Sequence, residues 1–279
     1  MTKDCLLIEE LTKNLVHLKK DFEKNYDGES HIQEVIPISK SDLFPIKQQD
    51  LELLHQFTTK NPIYYNSYEK TIGTTPCIVY EGDINKYWLN SIQHGSSHAP
   101  FSPTWVMSAY AGTLLAKVLG YGEVIDIGSG DGRIAFCAKV LDMESYSIEI
   151  DNMLVDLQKL LTILDFHPYC SDAVTFDYSS LNLATPIFFI GGLAQMGGIT
   201  LASGVLEKID SISNLTNIGW VFVGTYSQKY PSDPKNKAGW GTLIEKNKLK
   251  HIQTISLPTV WTFHEPEETP YIFAQTISD

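Results

Sequence analysis

The chemistry available to this chain is concentrated in Glu123–Phe136, which reads E-V-I-D-I-G-S-G-D-G-R-I-A-F. A β-branched apolar run carries one acid, Asp126, and ends in glycines at alternate positions, Gly128, Gly130 and Gly132. A helix-compatible stretch, Ile134–Leu141, follows at once. Strand, tight turn and helix in that order open a nucleotide-type βαβ unit. The glycines permit positive φ and let a ligand lie against the backbone. A carboxylate inside an apolar strand is costly without a partner, and a bound ligand can supply one. The dinucleotide pattern needs a small residue where Arg133 stands, and the phosphate-gripping G-x-x-x-x-G-K-[ST] pattern is absent. A second strand, Ser145–Ile150, carries Glu149. It lies about twenty positions beyond the first glycine, where βαβ folds place an acid on a ribose hydroxyl pair.

A ribose-binding acid beside an acidic loop that does not grip phosphate suits a nucleoside with a cationic tail. S-adenosylmethionine (SAM) meets that description. Asp126, Gly128, Ser129, Gly130 and Gly132 are expected around its methionine end and Glu149 at the ribose, with Ile150 a further cofactor contact. Arg133 is the only arginine in the chain. It is either a rigid multidentate donor at the cofactor loop or a residue of the helix surface.

The run V-I-D-I-G-S-G-D-G-R-I-A resembles motif I of the seven-β-strand (class I) SAM-dependent methyltransferases. Its D-I-G-S-G-D-G-R form is similar to the branch of archaeal and mitochondrial protein-lysine methyltransferases. P-F-S-P-T (Pro100–Thr104), Y-S-I-E-I-D (Tyr146–Asp151) and F-F-I-G-G-L-A-Q-M (Phe188–Met196) agree with that branch in order. The resemblance covers roughly Pro100–Trp261; the first 100 residues have no counterpart in it, and the branch is usually shorter. It implies an α/β fold with a Rossmann-like seven-stranded sheet and a C-terminal antiparallel hairpin. It also implies adenine contacts at Asp172 and Ala173, a ligand-facing Gly191, and methyl transfer to a lysine side chain of a protein. Two other readings stay open. One is a small-molecule O-, N- or C-methyltransferase with an N-terminal lid; the other is a SAM-binding protein without catalysis.

Methyl transfer from a sulfonium is an in-line displacement, so the protein must align the reactants and exclude water. A lysine nucleophile must also lose a proton, which an apolar aromatic pocket favours by desolvating the ammonium. Phe101, Trp105 and Tyr226 are candidate pocket walls and Gln195 a candidate polar orienter. Tyr64, Tyr65 and Tyr68 read more simply as packing residues with a wet hydroxyl. His94 and His98 are separated by glycine and serines rather than by a helical turn, so no metal site is expected. No G-x-S-x-G nucleophile elbow occurs.

The formal net charge of −12 argues against nucleic acid as a partner and favours cationic ones. Four cysteines without C-x-x-C spacing point to a reducing, cytoplasmic setting. The start has acids where a signal peptide needs an apolar core, and no apolar run reaches the ~20 residues of a membrane helix. Two parts are expected. Residues 1–100 form a mainly helical region, with helices over Cys5–Lys24, Ser41–Thr59 and Ile84–Ile92 around a broken, Tyr-rich Asn61–Tyr80. This region is either a cap at the substrate entrance or an appendage for a partner or second copy. Residues 101–279 form the SAM-dependent methyltransferase domain.

Overall fold

The computed structural model describes residues 3–85, 103–161, 163–191, 198–212, 215, 217–224, 240–258 and 268–277. Seven strands follow one another in the C-terminal part: β4 (Glu123–Ile127), β5 (Glu144–Glu149), β6 (Pro168–Cys170), β7 (Pro186–Ile190), β8 (Gly219–Val223), β9 (Lys250–Pro258) and β10 (Glu268–Gln275). They form one sheet in the order β6-β5-β4-β7-β8-β10-β9. The first five pair in parallel, and β10 runs antiparallel to both β8 and β9. This is the expected Rossmann-like α/β sheet with its C-terminal antiparallel hairpin. Covered on both faces, its central strands are nearly continuous apolar runs, and all of Pro186–Ile190 is buried.

The helices are α1 (Lys3–Glu23), α2 (Gln48–Lys60), α3 (Val106–Val118), α4 (Arg133–Val140), α5 (Asn152–Leu160), α6 (Gly198–Asp210) and α7 (Gly241–Lys246). Helix α2 starts later than the sequence suggests. Pro45 disfavours helix at Phe44, and Phe44 and Ile46 instead anchor an irregular segment in the core. Helix α5 is shorter than the Met153–Phe166 that its apolar spacing suggests. Asp151 caps its start, accepting from Met153 N at 2.8 Å, and the chain then turns to bring Phe166 beneath the glycine loop.

The N-terminal part departs furthest from the mainly helical expectation. Besides α1 and α2 it holds β1 (Ile32–Pro37), β2 (Tyr64–Ile72) and β3 (Thr75–Gly82), an antiparallel sheet in the order β1-β3-β2. The Tyr-rich segment read as broken is the β2–β3 hairpin, turned at Gly73 with φ 59°. Its outward polar positions masked the strand pattern. One hydrophobic cluster runs through both parts. It joins Ile8 and Phe22 of α1, Val35 of β1 and Phe57 of α2 to Tyr110 of α3, Val124 of β4 and Phe136 of α4. Helix α3 is buried along most of its length, which explains a sequence apolar on nearly every face.

Candidate cofactor site and its buried charge network

Asp126, Glu149, the Asp172–Ala173 pair and Gly191 lie at or just beyond the carboxyl ends of β4, β5, β6 and β7. In an open parallel sheet that edge is where ligands bind. The three loop glycines all take positive φ: 66° at Gly128, 59° at Gly130 and 77° at Gly132. Their reasons differ. A Cβ on Gly128 would meet nothing within 4 Å, whereas one on Gly132 would come within 2.7 Å of the Phe166 ring. Gly128 keeps an exposed face open; Gly132 lets the turn pack on the core. Gly191 likewise has nothing within 4 Å of its Cβ position.

The loop's amides point into the protein. Gly128 N and Ser129 N donate to Ile148 O at 2.9 and 3.3 Å, and Gly130 N donates to Glu149 Oε2 at 2.8 Å. Gly132 N donates to Ser129 O at 2.8 Å, and Arg133 N to Asp131 Oδ1 at 3.4 Å. A phosphate cradle needs such groups turned outward. This loop offers carboxylates instead. Gln158 fixes its shape by donating to Gly130 O at 2.7 Å and Ser129 Oγ at 2.9 Å, while the Ser147 hydroxyl lies 2.6 Å from both Ser129 Oγ and Gln158 Oε1. The Ser129 side chain and both of its backbone groups are therefore spent on the shape of the loop.

Asp126 is 3% exposed, and its one hydrogen bond among the described residues is a long one from Ala135 N at 3.4 Å. Burial pushes its carboxyl up to about 8, and the charges of Asp131 and Glu149 add to that rise. Glu149 is also raised by burial, against the pull of the Asp151 and Gly130 amides. Its oxygens accept from Asp151 N at 3.0 Å and Gly130 N at 2.8 Å, and the Ile150 amide also bonds the carboxylate. An under-partnered buried acid, Asp126, and a second acid held by backbone amides, Glu149, thus lie on adjacent strands at the open edge. The position favours a ligand that brings positive charge and hydroxyl donors.

Arg133 is not the helix-surface residue that one reading of the sequence allowed: it is 2% exposed, with all five guanidinium N–H groups bonded to protein. Nε donates to Asp131 Oδ1 at 2.8 Å and Nη2 to Asp131 Oδ2 at 2.6 Å and Tyr64 Oη at 3.2 Å. Nη1 donates to Glu34 Oε1 at 2.7 Å and to the Thr104 carbonyl. Glu34, from β1, also accepts from Tyr64 Oη at 2.9 Å and from Val106 N, the first amide of α3, at 2.9 Å. Asp131 takes a further bond from Asn61 Nδ2 at 2.8 Å. Burial pushes Glu34 up to about 7, opposed chiefly by the Arg133 charge.

Of the remaining candidates, Ile150 is half-buried and Ala173 buried. Asp172 is exposed, its Oδ1 accepting from Val174 N at 2.9 Å. Trp105, a candidate wall, is 2% exposed and belongs to the hydrophobic core. Tyr64 belongs to the charge network, while Tyr65 is 66% exposed. Phe101, Gln195, Tyr226, His94 and His98 lie outside the described residues. Among the described residues no group of three or more His, Cys, Asp or Glu could hold a metal, and no helix is long and apolar enough to cross a membrane. Sequence reasoning missed Glu34, Asn61 and Gln158. An acid within I-Q-E-V-I-P is the same signal that marked Asp126, and it would have found Glu34.

No protein-family model matches the chain, and no curated protein matches its sequence. Solved structures similar to it include a magnesium protoporphyrin IX methyltransferase from Synechocystis with bound SAM. That protein is 13% identical with a TM-score of 0.45, over 70% of this chain and 96% of the other. The glycopeptide N-methyltransferase MtfA, complexed with S-adenosylhomocysteine, is 12% identical with a TM-score of 0.44, over 61% of this chain and 90% of its own. The N-methyltransferase NodS from Bradyrhizobium japonicum is 10% identical with a TM-score of 0.42, over 61% of this chain and 96% of its own. At such values the likeness assigns neither a cofactor nor an acceptor.

Proposed function

We propose that this chain is a SAM-dependent methyltransferase whose acceptor is a lysine side chain of a protein. The observation that carries the cofactor reading is the glycine loop itself. It presents an open Gly128 face with its amides turned inward, between Asp126 and Glu149 on adjacent parallel strands. Asp126 would meet the ammonium of the methionine end, and Glu149 the two ribose hydroxyls. Gly128 and Gly130 would let the cofactor lie on the backbone. Asp172, Ala173 and Ile150 would border the adenine and ribose, and Gly191 would line the opening toward the acceptor. When bound, SAM supplies an electrophilic methyl on a sulfonium.

The protein's own part is alignment, exclusion of water and placement of negative charge. Asp126 and Glu149 put two acids near a cation in a buried setting, where a charge interaction is worth more than in water. The lysine reading rests on the D-I-G-S-G-D-G-R and F-F-I-G-G-L-A-Q-M resemblances, with the −12 net charge favouring a cationic target. The N-terminal region would border the acceptor entrance as part of the same core. The test is incubation with methyl-labelled SAM and a cell lysate, then mass spectrometry of proteins and small molecules. Lysine mass increments in methyl steps, lost in Asp126→Asn, support the reading. Label confined to small metabolites replaces the lysine with a small-molecule acceptor.

A further inference from the structure

Taking the glycine loop as the SAM site, we propose that Glu34 is a positioning residue, setting the loop's shape from the N-terminal sheet through the buried Arg133. The connection is continuous and short. Glu34 on β1 holds Arg133 Nη1 at 2.7 Å, and Arg133 grips both oxygens of Asp131, a residue of the loop, at 2.8 and 2.6 Å. The same Glu34 carboxylate takes the first amide of α3 at 2.9 Å, and Tyr64 of β2 bridges Glu34 and Arg133. Asn61, at the end of α2, adds a second N-terminal hold on Asp131 at 2.8 Å. Asp131 sits between Gly130, whose amide is on Glu149, and Gly132, which packs on Phe166. Its position therefore fixes the turn between the two acids expected to meet the cofactor.

The hardware is specific to this purpose. Arg133 is the one arginine of a chain whose other cations are lysines, and only a guanidinium has five donors in a plane to bind two carboxylates, a phenol and a carbonyl together. A lysine could not hold β1, β2 and the loop at once. A module that fixes the loop must also feel its occupancy, since coupling between two sites is reciprocal. Cofactor binding should therefore be sensed at Arg133 even though every donor of that side chain is already engaged by protein.

The single arginine makes this measurable. Labelling with ¹⁵N-arginine gives one side-chain Nε–H resonance in the full-length protein. At pH 8 that resonance is expected to exchange slowly and to move on saturation with SAM. Glu34→Gln is expected to speed amide exchange at Gly130 and Gly132 at least tenfold and to weaken SAM binding about tenfold. Exchange in β7 and β8 should be unchanged. A folded Glu34→Gln protein whose loop exchange and SAM affinity stay within twofold of wild type overturns the proposal. If that variant does not fold, Tyr64→Phe is read in its place. It removes one donor from the same carboxylate, and a threefold or larger effect at the loop supports the proposal while none overturns it. A wild type that binds no SAM contradicts the cofactor reading, and the loop-exchange arm then still decides the role of Glu34.

Discussion

At the scale of single residues, two buried acids give the protein a pH signature. Glu34 and Asp126 are raised by burial to about 7 and about 8, well above their values in an unfolded chain. The folded protein thus keeps protons that the unfolded chain has already released. The stability these groups contribute is complete below the ordinary carboxylate range and is lost as pH rises through about 7 and then 8. Thermal melts of the ligand-free protein should show a falling midpoint between pH 5 and 8, with a flatter profile in Asp126→Asn. A melt independent of pH over that range contradicts the assignment. The glycines make a second test. Gly128→Ala pays the left-handed strain of about 1–2 kcal/mol with no clash, whereas Gly132→Ala adds a steric conflict with Phe166. Denaturant titration should show Gly132→Ala the less stable of the two, while Gly128→Ala, still folded, should lose SAM. Much at this scale was legible. Where Asp126, Glu149 and the glycines sit, at the ends of β4 and β5, was readable because an apolar run closed by alternate glycines marks a strand passing into a turn. Arg133 was not, because its partners Glu34 and Tyr64 lie 99 and 69 positions away.

At the scale of elements, the parallel strands could be read from β-branched runs followed by turns, and β7 begins and ends where its apolar run does. The N-terminal sheet was hidden because β2 is half exposed and its pairing with β3 is set by a tertiary neighbour rather than by its own pattern. Those N-terminal elements pack directly on the part that carries the seven-stranded sheet. Phe57 of α2 stacks on Phe136 of α4 with ring centroids 4.5 Å apart, and Tyr110 of α3 donates to the buried Asp50 of α2 at 2.7 Å. Phe57→Ala should therefore cost about 3–5 kcal/mol, read as a lower denaturant midpoint in a single transition. Removing residues 1–85 should abolish cooperative unfolding altogether. The sequence alone left open a cap at the substrate entrance or an appendage for a partner or second copy; a soluble truncated protein that melts cooperatively would restore the view of a separable region.

At the scale of the whole molecule, the acid-rich surface and the acid-rich site act in the same direction. With a net charge of −12, encounter with a lysine-bearing protein should slow as salt is raised, since screening shortens the reach of the field to about 8 Å at physiological ionic strength. The acceptor was the least legible feature, because fold and cofactor loop do not choose it. What the site does commit to is the charge of its ligand. Titration calorimetry of the full-length protein with SAM and, separately, with NAD tests that commitment most directly. The account predicts that SAM binds with net release of protons at pH 7, as Asp126 ionises against the cation. Glu149→Ala should weaken binding by about 1.5–3 kcal/mol for each ribose hydrogen bond lost. SAM affinity unchanged by Glu149→Ala and Asp126→Asn, or NAD bound in preference to SAM, would contradict it.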